Sequence, residues 1–421
     1  MTDEERLIKN ATIKENGVAT RLRRKQQVCK TFKFKVDRSS LSQAQKESIK
    51  MYFVEAKRLY NYIIGSKQGE IFNLDYKDFK HITYFDKDKN LIEYDIKYIG
   101  SSVLQDIIRT MKESIVALSH SKQKGNKVGA LKFKSECNSV RFVQYGITHK
   151  IKGSKFKIQG IKKPIRVNGL KQLEKYPNIE YTTATLTYDG YDYFINLTCF
   201  VDKPVIDDSY KQDIIGIDLG CSSTITLSNG QKMKVLVEES ERLKGLQARL
   251  ARQQKRSNNW YKTRSLIRKE YNRISNQKQD AVHKIVHDLT STYKTIVTQD
   301  DRIEEWHQDP KYSKTVQHSI IGSIKAQLKL YGGSVFLDQW FPTTKHCFEC
   351  GSDINIPTEK RTFRCPVCGF TVDRDVHAAN NMIEYYNRYL QSAGTVDLTP
   401  RSKITYKEYM SCFMDRKPTG L

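Results

Sequence analysis

No stretch of the sequence is apolar and long enough to span a bilayer, and the C-terminus carries no Cys-a-a-X lipidation signal. The first residues, MTDEERLIKNATIKENG, lack the apolar core of a secretory signal. A cytoplasmic protein with no membrane partner is therefore expected. Acidic side chains are the scarcer charge: 47 Asp+Glu stand against 72 Lys+Arg, a formal net charge of +25. Such a positive field suits a polyanion, and with a membrane set aside the expected polyanion is nucleic acid. Internal repeats and low-complexity tracts are absent, which excludes solenoid and fibrous classes. The nine cysteines are not expected to form disulfides in a reducing compartment. Five of them (Cys29, Cys137, Cys199, Cys221, Cys412) are scattered and read as small buried or neutral residues.

At 421 residues the chain is long enough for two or three domains. Residues 1–28 are polar and basic, and a loose arm is expected there. KTFKFKV at 30–36 alternates as a half-buried strand. Ser40 and Gln43 suit a capping box for a helix whose apolar face is Ile49, Tyr52, Phe53, Ala56, Leu59, Tyr60 and Ile63. Around 131–201 the period falls to two, with Asp189-Gly190 as a hairpin turn. The first half is thus β-rich with a helical insertion after its first strand. DKPVIDDSYKQ at 202–212 reads as a linker. The pattern then becomes α/β: DIIGIDLG, SSTITLSNG and QKMKVLVEE form a meander, a long basic helical region at 239–290 breaks near SNNW, TIVTQD is a strand, 314–330 a helix, and SVFLDQWF another strand. Residues 387–421 look like a flexible tail.

Cys347-Phe-Glu-Cys350-Gly351 and Cys365-Pro-Val-Cys368-Gly369 are two C-x-x-C knuckles, each with the glycine that suits a tight turn. Four thiolates at this spacing converge on one tetrahedral Zn²⁺. With every ligand position filled by Cys, the zinc is structural, not catalytic.

Three segments offer carboxylates where a two-metal nuclease needs them, as hard oxygen ligands for a pair of catalytic Mg²⁺ ions. Asp218 ends the apolar run IIGID, a costly place for a charge unless it binds something. TIVTQDD ends another strand, with Gln299 and Asp301 expected on one face and Asp300 on the other. Asp375 follows the last cysteine at a helix start. The run G-I-D-L-G also opens actin-like ATPases, a rival class that does not explain the late cysteines. A plain zinc-ribbon transcription factor does not explain Asp218 and Asp301.

IGIDLG, QKQDAVHKI, FPTTKHCFECG and FRCPVCGFTVDRDVHAANNM together resemble the transposon-encoded TnpB proteins and the related miniature type V CRISPR effectors. Tyr60-Asn61 and ALKFKS at 130–135 are weaker echoes. The resemblance covers nearly the whole chain after residue 29. It implies a multidomain α+β and α/β architecture. A wedge-like β-barrel (29–205) carries an inserted helical recognition lobe (about 40–130). A ribonuclease H-like (RuvC) domain (206–342) follows, then a zinc ribbon (343–370), the final RuvC helix (371–390) and a tail (391–421). It implies an RNA-guided DNA endonuclease in a prokaryotic cytoplasm, associated with the nucleoid, with guide RNA and double-stranded DNA as partners. Asp218 and Asp375 match the first and last catalytic acids. His377 stands where the family has Asn. Many members have Glu at the position of Gln299, whereas a branch reads Gln-Asp-Glu-x-Ile-x-x-Trp. Against that branch Asp301 takes the Glu position, with Asp300 as the alternate. Two further readings of the same architecture are a CRISPR effector, which differs in its RNA, and a cleavage-deficient RNA-guided repressor, suggested by Gln299. Nothing in the sequence indicates the oligomeric state.

Overall fold

The computed structural model describes residues 3–86, 88–203, 209–354, 360–393 and 403–414, and divides into two compact units, Met1–Val205 and Ile206–Leu421. The first unit opens with α1 (Asp3–Lys25) and β1 (Gln27–Val36), then α2 (Gln43–Ser66), a hairpin of β2 (His81–Phe85) and β3 (Leu91–Asp95), and α3 (Ser101–Gln123). Six strands follow: β4 (Ser139–Phe142), β5 (His149–Lys152), β6 (Lys155–Ile158), β7 (Ile165–Asn168), β8 (Glu180–Tyr188) and β9 (Tyr193–Asp202). They form one antiparallel sheet with β1, in the order β4-β8-β9-β1-β7-β6-β5. The edges β4 and β5 do not pair, so this sheet stops short of a closed barrel. Asp189 and Gly190 make the β8–β9 turn, where the Asp189 carboxylate accepts the N–H groups of Tyr191 and Asp192.

Every expected apolar position of α2 is buried in the core of this unit. The helix begins two residues later than the sequence suggested. Ser42 and Gln45, not Ser40 and Gln43, make the reciprocal capping box, because Arg38–Ser40 is taken up in a separate 3₁₀ turn. The N-terminal segment is not a loose arm. It is the helix α1, whose basic end is tied down by Glu180 through Arg23 (2.6 Å) and Arg24 (2.8 Å). Its polar face carried no periodic apolar signal, and the anchoring carboxylate lies far along the chain. Of the scattered cysteines, Cys199 is buried as expected, but Cys29 is exposed.

Glu55 is the deepest charge in the first unit. Fully buried, it accepts hydrogen bonds from Tyr94 Oη (2.8 Å) and from the backbone N–H groups of Lys97, Tyr98 and Ile99 (2.8–2.9 Å). One carboxylate thus pins the segment before α3 onto α2. Glu55→Ala should cost about 3 kcal/mol, since three backbone N–H groups and the Tyr94 hydroxyl lose their buried acceptor. Urea unfolding measures this, and a change within about 0.5 kcal/mol would reject the pinning role.

The second unit begins with β10 (Gln212–Asp218), β11 (Ile225–Leu227) and β12 (Lys232–Met233), an antiparallel meander. Then come α4 (Glu241–Ala251), α5 (Asn258–Thr292), β13 (Tyr293–Gln299), α6 (Ile303–Gln308), α7 (Pro310–His318), α8 (Ile321–Leu328) and β14 (Ser334–Leu337). The cysteine-bearing loop contains the hairpin of β15 (Thr362–Arg364) and β16 (Thr371–Asp373) and runs directly into α9 (Arg374–Ala393). Last come β17 (Lys403–Ile404) and α10 (Tyr406–Met414). The sheet order is β12-β11-β10-β13-β14-β17, with β10, β13, β14 and β17 parallel.

Both faces of this sheet are covered, which is why its strands read as continuous apolar runs. Ile296 and Phe336 pack with residues of α5 and α8, while Val297 and Val335 pack with Met382 and Tyr385 of α9 and Tyr409 of α10. The expected helix at 314–330 is two helices, broken at Ser319-Ile320, and SVFLDQWF is a strand only over its first four residues. The expected tail is partly structural. Residues 387–393 belong to α9, residues 403–414 add an edge strand and a helix, and Tyr409 is buried; the remaining positions of that expectation lie outside the described residues.

Candidate metal and nuclease site

Asp218 is the last residue of β10. The parallel register, Ile217 opposite Thr298, brings the ends of β10 and β13 level, so Asp218 and Gln299 sit side by side. Helix α9 crosses β10 at Gly216, where any side chain would collide with the Ala379 carbonyl. That glycine therefore permits the close approach that carries Asp375, in the first turn of α9, to the same place. Asp218, Asp301 and Asp375 all line one cavity of about 600 Å³, together with Gln299. The N-terminal turn of α9 is fixed by Asp373, which accepts the N–H groups of Asp375 (3.0 Å) and Val376 (3.3 Å).

The acids differ in what surrounds them. Glu55, Asp106 and Glu270, all buried, are matched by backbone N–H groups or arginines. Asp218 and Asp301 make no ion pair among the described residues. Burial, with the charges of Asp375 and Asp301, pushes the Asp218 carboxyl up to about 7, against the pull of Arg374 and Lys232. Burial likewise raises Asp301 to about 6, opposed by Lys325. Among the described residues, the Asp375 carboxylate makes only long ion-pair contacts, to Arg361 (3.6 Å) and Lys232 (3.8 Å). Asp218 and Asp301 thus lack, among the described residues, the close ion pairs that the other buried acids have, an environment suited to carboxylates with a functional role.

The alternate acid, Asp300, does not reach the cavity. Burial would raise its carboxyl, but Lys325 (2.7 Å), Lys329 (3.1 Å) and Lys403 (3.1 Å) hold it well below the usual carboxylate range. Strand β13 ends at Gln299, so strand alternation does not govern these acids. The Gln299 amide is engaged by its neighbours. Its Nε2 donates to the carbonyls of Asp338 (3.1 Å) and Phe341 (3.0 Å), and its Oε1 accepts from the Thr343 hydroxyl (3.1 Å). Cys221, Trp306, Tyr312 and Trp340 also line the cavity. Sequence reasoning passed over Tyr312 and Trp340, met Trp306 only as the last residue of the resemblance at Gln299 and Cys221 only as a scattered cysteine, because tertiary packing alone brings them to the acids.

The four knuckle cysteines converge, with their sulfurs all within 4.8 Å of one another. Cys350–Cys365 at 3.6 Å and Cys347–Cys368 at 3.8 Å match the ~3.8 Å edge of a tetrahedron with Zn–S near 2.3 Å. The hydroxyl and N–H of Ser352 lower the Cys350 thiol, whereas burial and the neighbouring thiols raise those of Cys347 and Cys368. Gly351 and Gly369 both take positive φ. The donor set fits zinc and leaves no open position. His377 is not in the cavity. It lies buried beneath the ribbon, stacked on Phe363 at 3.5 Å, and its Nδ1 contacts Asn381 (3.0 Å), whose amide also donates to the carbonyls of Thr343 and His346.

Fold and sites define a mixed α/β protein with a four-cysteine ribbon inserted before the last long helix. Residues 201–305 match the family described as "Probable transposase", and residues 318–382 match "Cas12f1-like, TNB domain". The chain is similar to the TnpB and miniature type V effector proteins. A "Putative RNA-guided DNA endonuclease" of Streptomyces pristinaespiralis is 29% identical over 214 residues, 48% of this chain and 52% of the relative. "Putative RNA-guided DNA endonuclease InsQ" of Escherichia coli (strain K12) is 26% identical over 193 residues, 40% and 48%. The chain therefore spans about half the length of the curated relatives it matches. A Cas12f1–sgRNA–target DNA complex aligns over 84% of this chain and 98% of that one, with 14% identity and a TM-score of 0.24. CasPhi-2 (Cas12j) bound to crRNA aligns over 85% and 98%, with 9% identity and a TM-score of 0.40. Both superpositions are too loose to carry an argument. No helix among the described residues is long and apolar enough to cross a membrane.

Proposed function

We propose that this protein is an RNA-guided DNA endonuclease of the TnpB type, acting in a prokaryotic cytoplasm on the nucleoid. Its second unit is a ribonuclease H-like (RuvC) nuclease domain and its first a wedge with a recognition lobe. The observation that carries the reading is the lining of one cavity by Asp218, Asp301 and Asp375, two of them in no ion pair among the described residues. A meander followed by parallel strands, with Asp218 at the end of β10, Asp301 just beyond β13 and Asp375 at the start of α9, supports a RuvC-like reading. Asp218, Asp301 and Asp375 would hold Mg²⁺, which in such sites activates water and stabilises the leaving oxygen of a phosphodiester. Asp300 supports Asp301 from behind: Lys325, which pairs with Asp300, also donates to the Asp301 carbonyl. The ribbon zinc holds the loop that enters α9.

The match of residues 318–382 gives weight to a second reading, a miniature type V CRISPR effector, which differs in the RNA it carries. A cleavage-deficient repressor was suggested by Gln299. That suggestion weakens because the amide has a hydrogen-bonding role of its own and Asp301 supplies the third carboxylate.

The test is to purify the protein from its native locus, sequence the bound RNA, and incubate the complex with matched DNA carrying a randomised flank. Cuts that need Mg²⁺ and follow a preferred flank are expected, with EDTA abolishing them. Guide-dependent binding without cuts would establish the repressor; absence of bound RNA would overturn the proposal.

A further inference from the structure

We infer that Trp340 forms a stacking subsite for an unpaired nucleobase at the rim of the acid cavity. The inference rests on the nuclease reading and specifies how the substrate strand is presented. A single exposed aromatic is commonplace on protein surfaces. Trp340 differs in how firmly its backbone is held while its ring is left free. Trp340 is 69% exposed, and among the described residues no other ring packs on it. The residues around it are fixed from several directions. Gln299 Nε2 grips the carbonyls of Asp338 and Phe341, and Asp338 Oδ1 accepts the Trp340 N–H (3.0 Å). The Asp338 N–H donates to the Ile404 carbonyl and its Oδ2 accepts the Tyr406 N–H, both from the C-terminal segment. Phe341 is wedged among Tyr385, Tyr406 and Tyr409, with ring centroids 5.2–5.3 Å apart. With the backbone already fixed, only the side chain itself has to be ordered on binding.

The occupant follows from what shares the cavity. Lys345, Arg361 and Arg374 line it as well, so phosphates find cations within the same space as an aromatic face. A flat ring on a polyanion is a nucleobase. The base must be unpaired, because a paired base presents only its edge. Trp340 would therefore hold a single strand in register beside Asp218, Asp301 and Asp375. Gln299 is then a positioning residue for the Trp340 loop, and an amide is needed there because a carboxylate cannot donate to two carbonyls.

The experiment compares two single-stranded probes of equal length and charge, oligothymidylate and its abasic counterpart, on the full chain with its co-purified RNA and with Ca²⁺ in place of Mg²⁺. The wild type should bind the base-bearing strand about tenfold more tightly, the equivalent of ~1.4 kcal/mol. Trp340→Ala should bring the ratio near one while keeping its affinity for the abasic strand, and Trp340→Phe should keep most of the preference. The chain has three tryptophans, so the base-dependent fluorescence quenching of the wild type should be reduced in Trp340→Phe even though the preference survives. A wild type without preference, or a Trp340→Ala that retains it, overturns the subsite. If the preference is lost in Trp340→Ala but no DNA is ever cut, the subsite stands and the nuclease reading falls. If DNA is cut and Trp340→Ala binds like wild type, the reverse holds.

Discussion

Asp218→Asn should lower DNA cleavage by on the order of 10³-fold while leaving guide-RNA binding nearly unchanged, because it removes charge from the cavity where a divalent cation is expected. The same change should stabilise the metal-free protein at alkaline pH. The sign follows from proton binding. An unfolded Asp titrates near 3.9, whereas the folded Asp218 titrates near 7. Between these values the folded chain holds a proton that the unfolded chain has released. The resulting stability is fully present below pH 3.9 and is lost as pH rises through 7. An asparagine loses nothing over that range. The variant should therefore melt roughly 5 °C above wild type at pH 8 without metal, and level with it at pH 4. Saturating Mg²⁺ should narrow the gap by stabilising only the wild type. Thermal melts with and without Mg²⁺, beside a cleavage assay, check both halves. Undiminished cleavage would remove Asp218 from the site. Gln299→Glu, by contrast, should bring no gain in cleavage, since a carboxylate would face the carbonyls of Asp338 and Phe341.

The second large effect is expected at the ribbon. Cys365→Ser, or stripping the metal with a strong zinc chelator and restoring Mg²⁺, should unfold the loop. A structural zinc contributes about 10–16 kcal/mol to such a site, and little else there is buried. Cleavage should fall by on the order of 10²-fold even though none of the four ribbon cysteines lines the acid cavity. The route is physical. Phe363 of the ribbon stacks on His377, and Asn381 ties the carbonyls of Thr343 and His346 to the same helix. His377 lies two residues from Asp375, so a ribbon that comes apart loosens the first turn of α9. Metal analysis should find one zinc per chain in the wild type and none in the variant. Hydrogen exchange should show the start of α9 opening. A variant that lacks zinc yet cleaves normally would show that the ribbon does not position Asp375.

Some of this architecture was legible in the residues alone. IIGID reads as a buried strand ending in an acid, because a sheet covered on both faces needs continuous apolar residues and a charge at its end needs a reason. The two C-x-x-C knuckles specify a four-thiolate cluster by local geometry. The apolar face of α2 follows from the period of a helix. Each of these signals lies within one turn, one strand or one helix, and short-range chemistry suffices to set it.

What required the folded chain were choices made by partners distant in sequence. Asp300 and Asp301 are adjacent and identical in type. Only Lys325, Lys329 and Lys403, drawn in from a helix and the C-terminal strand, turn one into a half-buried ion-pair centre and leave the other at the cavity. Gln299 resembled a lost carboxylate until the carbonyls of Asp338 and Phe341 showed why an amide stands there. The polar N-terminal segment became a helix secured by Glu180, and the presumed tail became an edge strand with Tyr409 buried behind it. Local propensity and patterning set the elements and their acids. Which acid faces the cavity was decided by long-range ion pairs and hydrogen bonds, whose partners no local stretch of sequence contains.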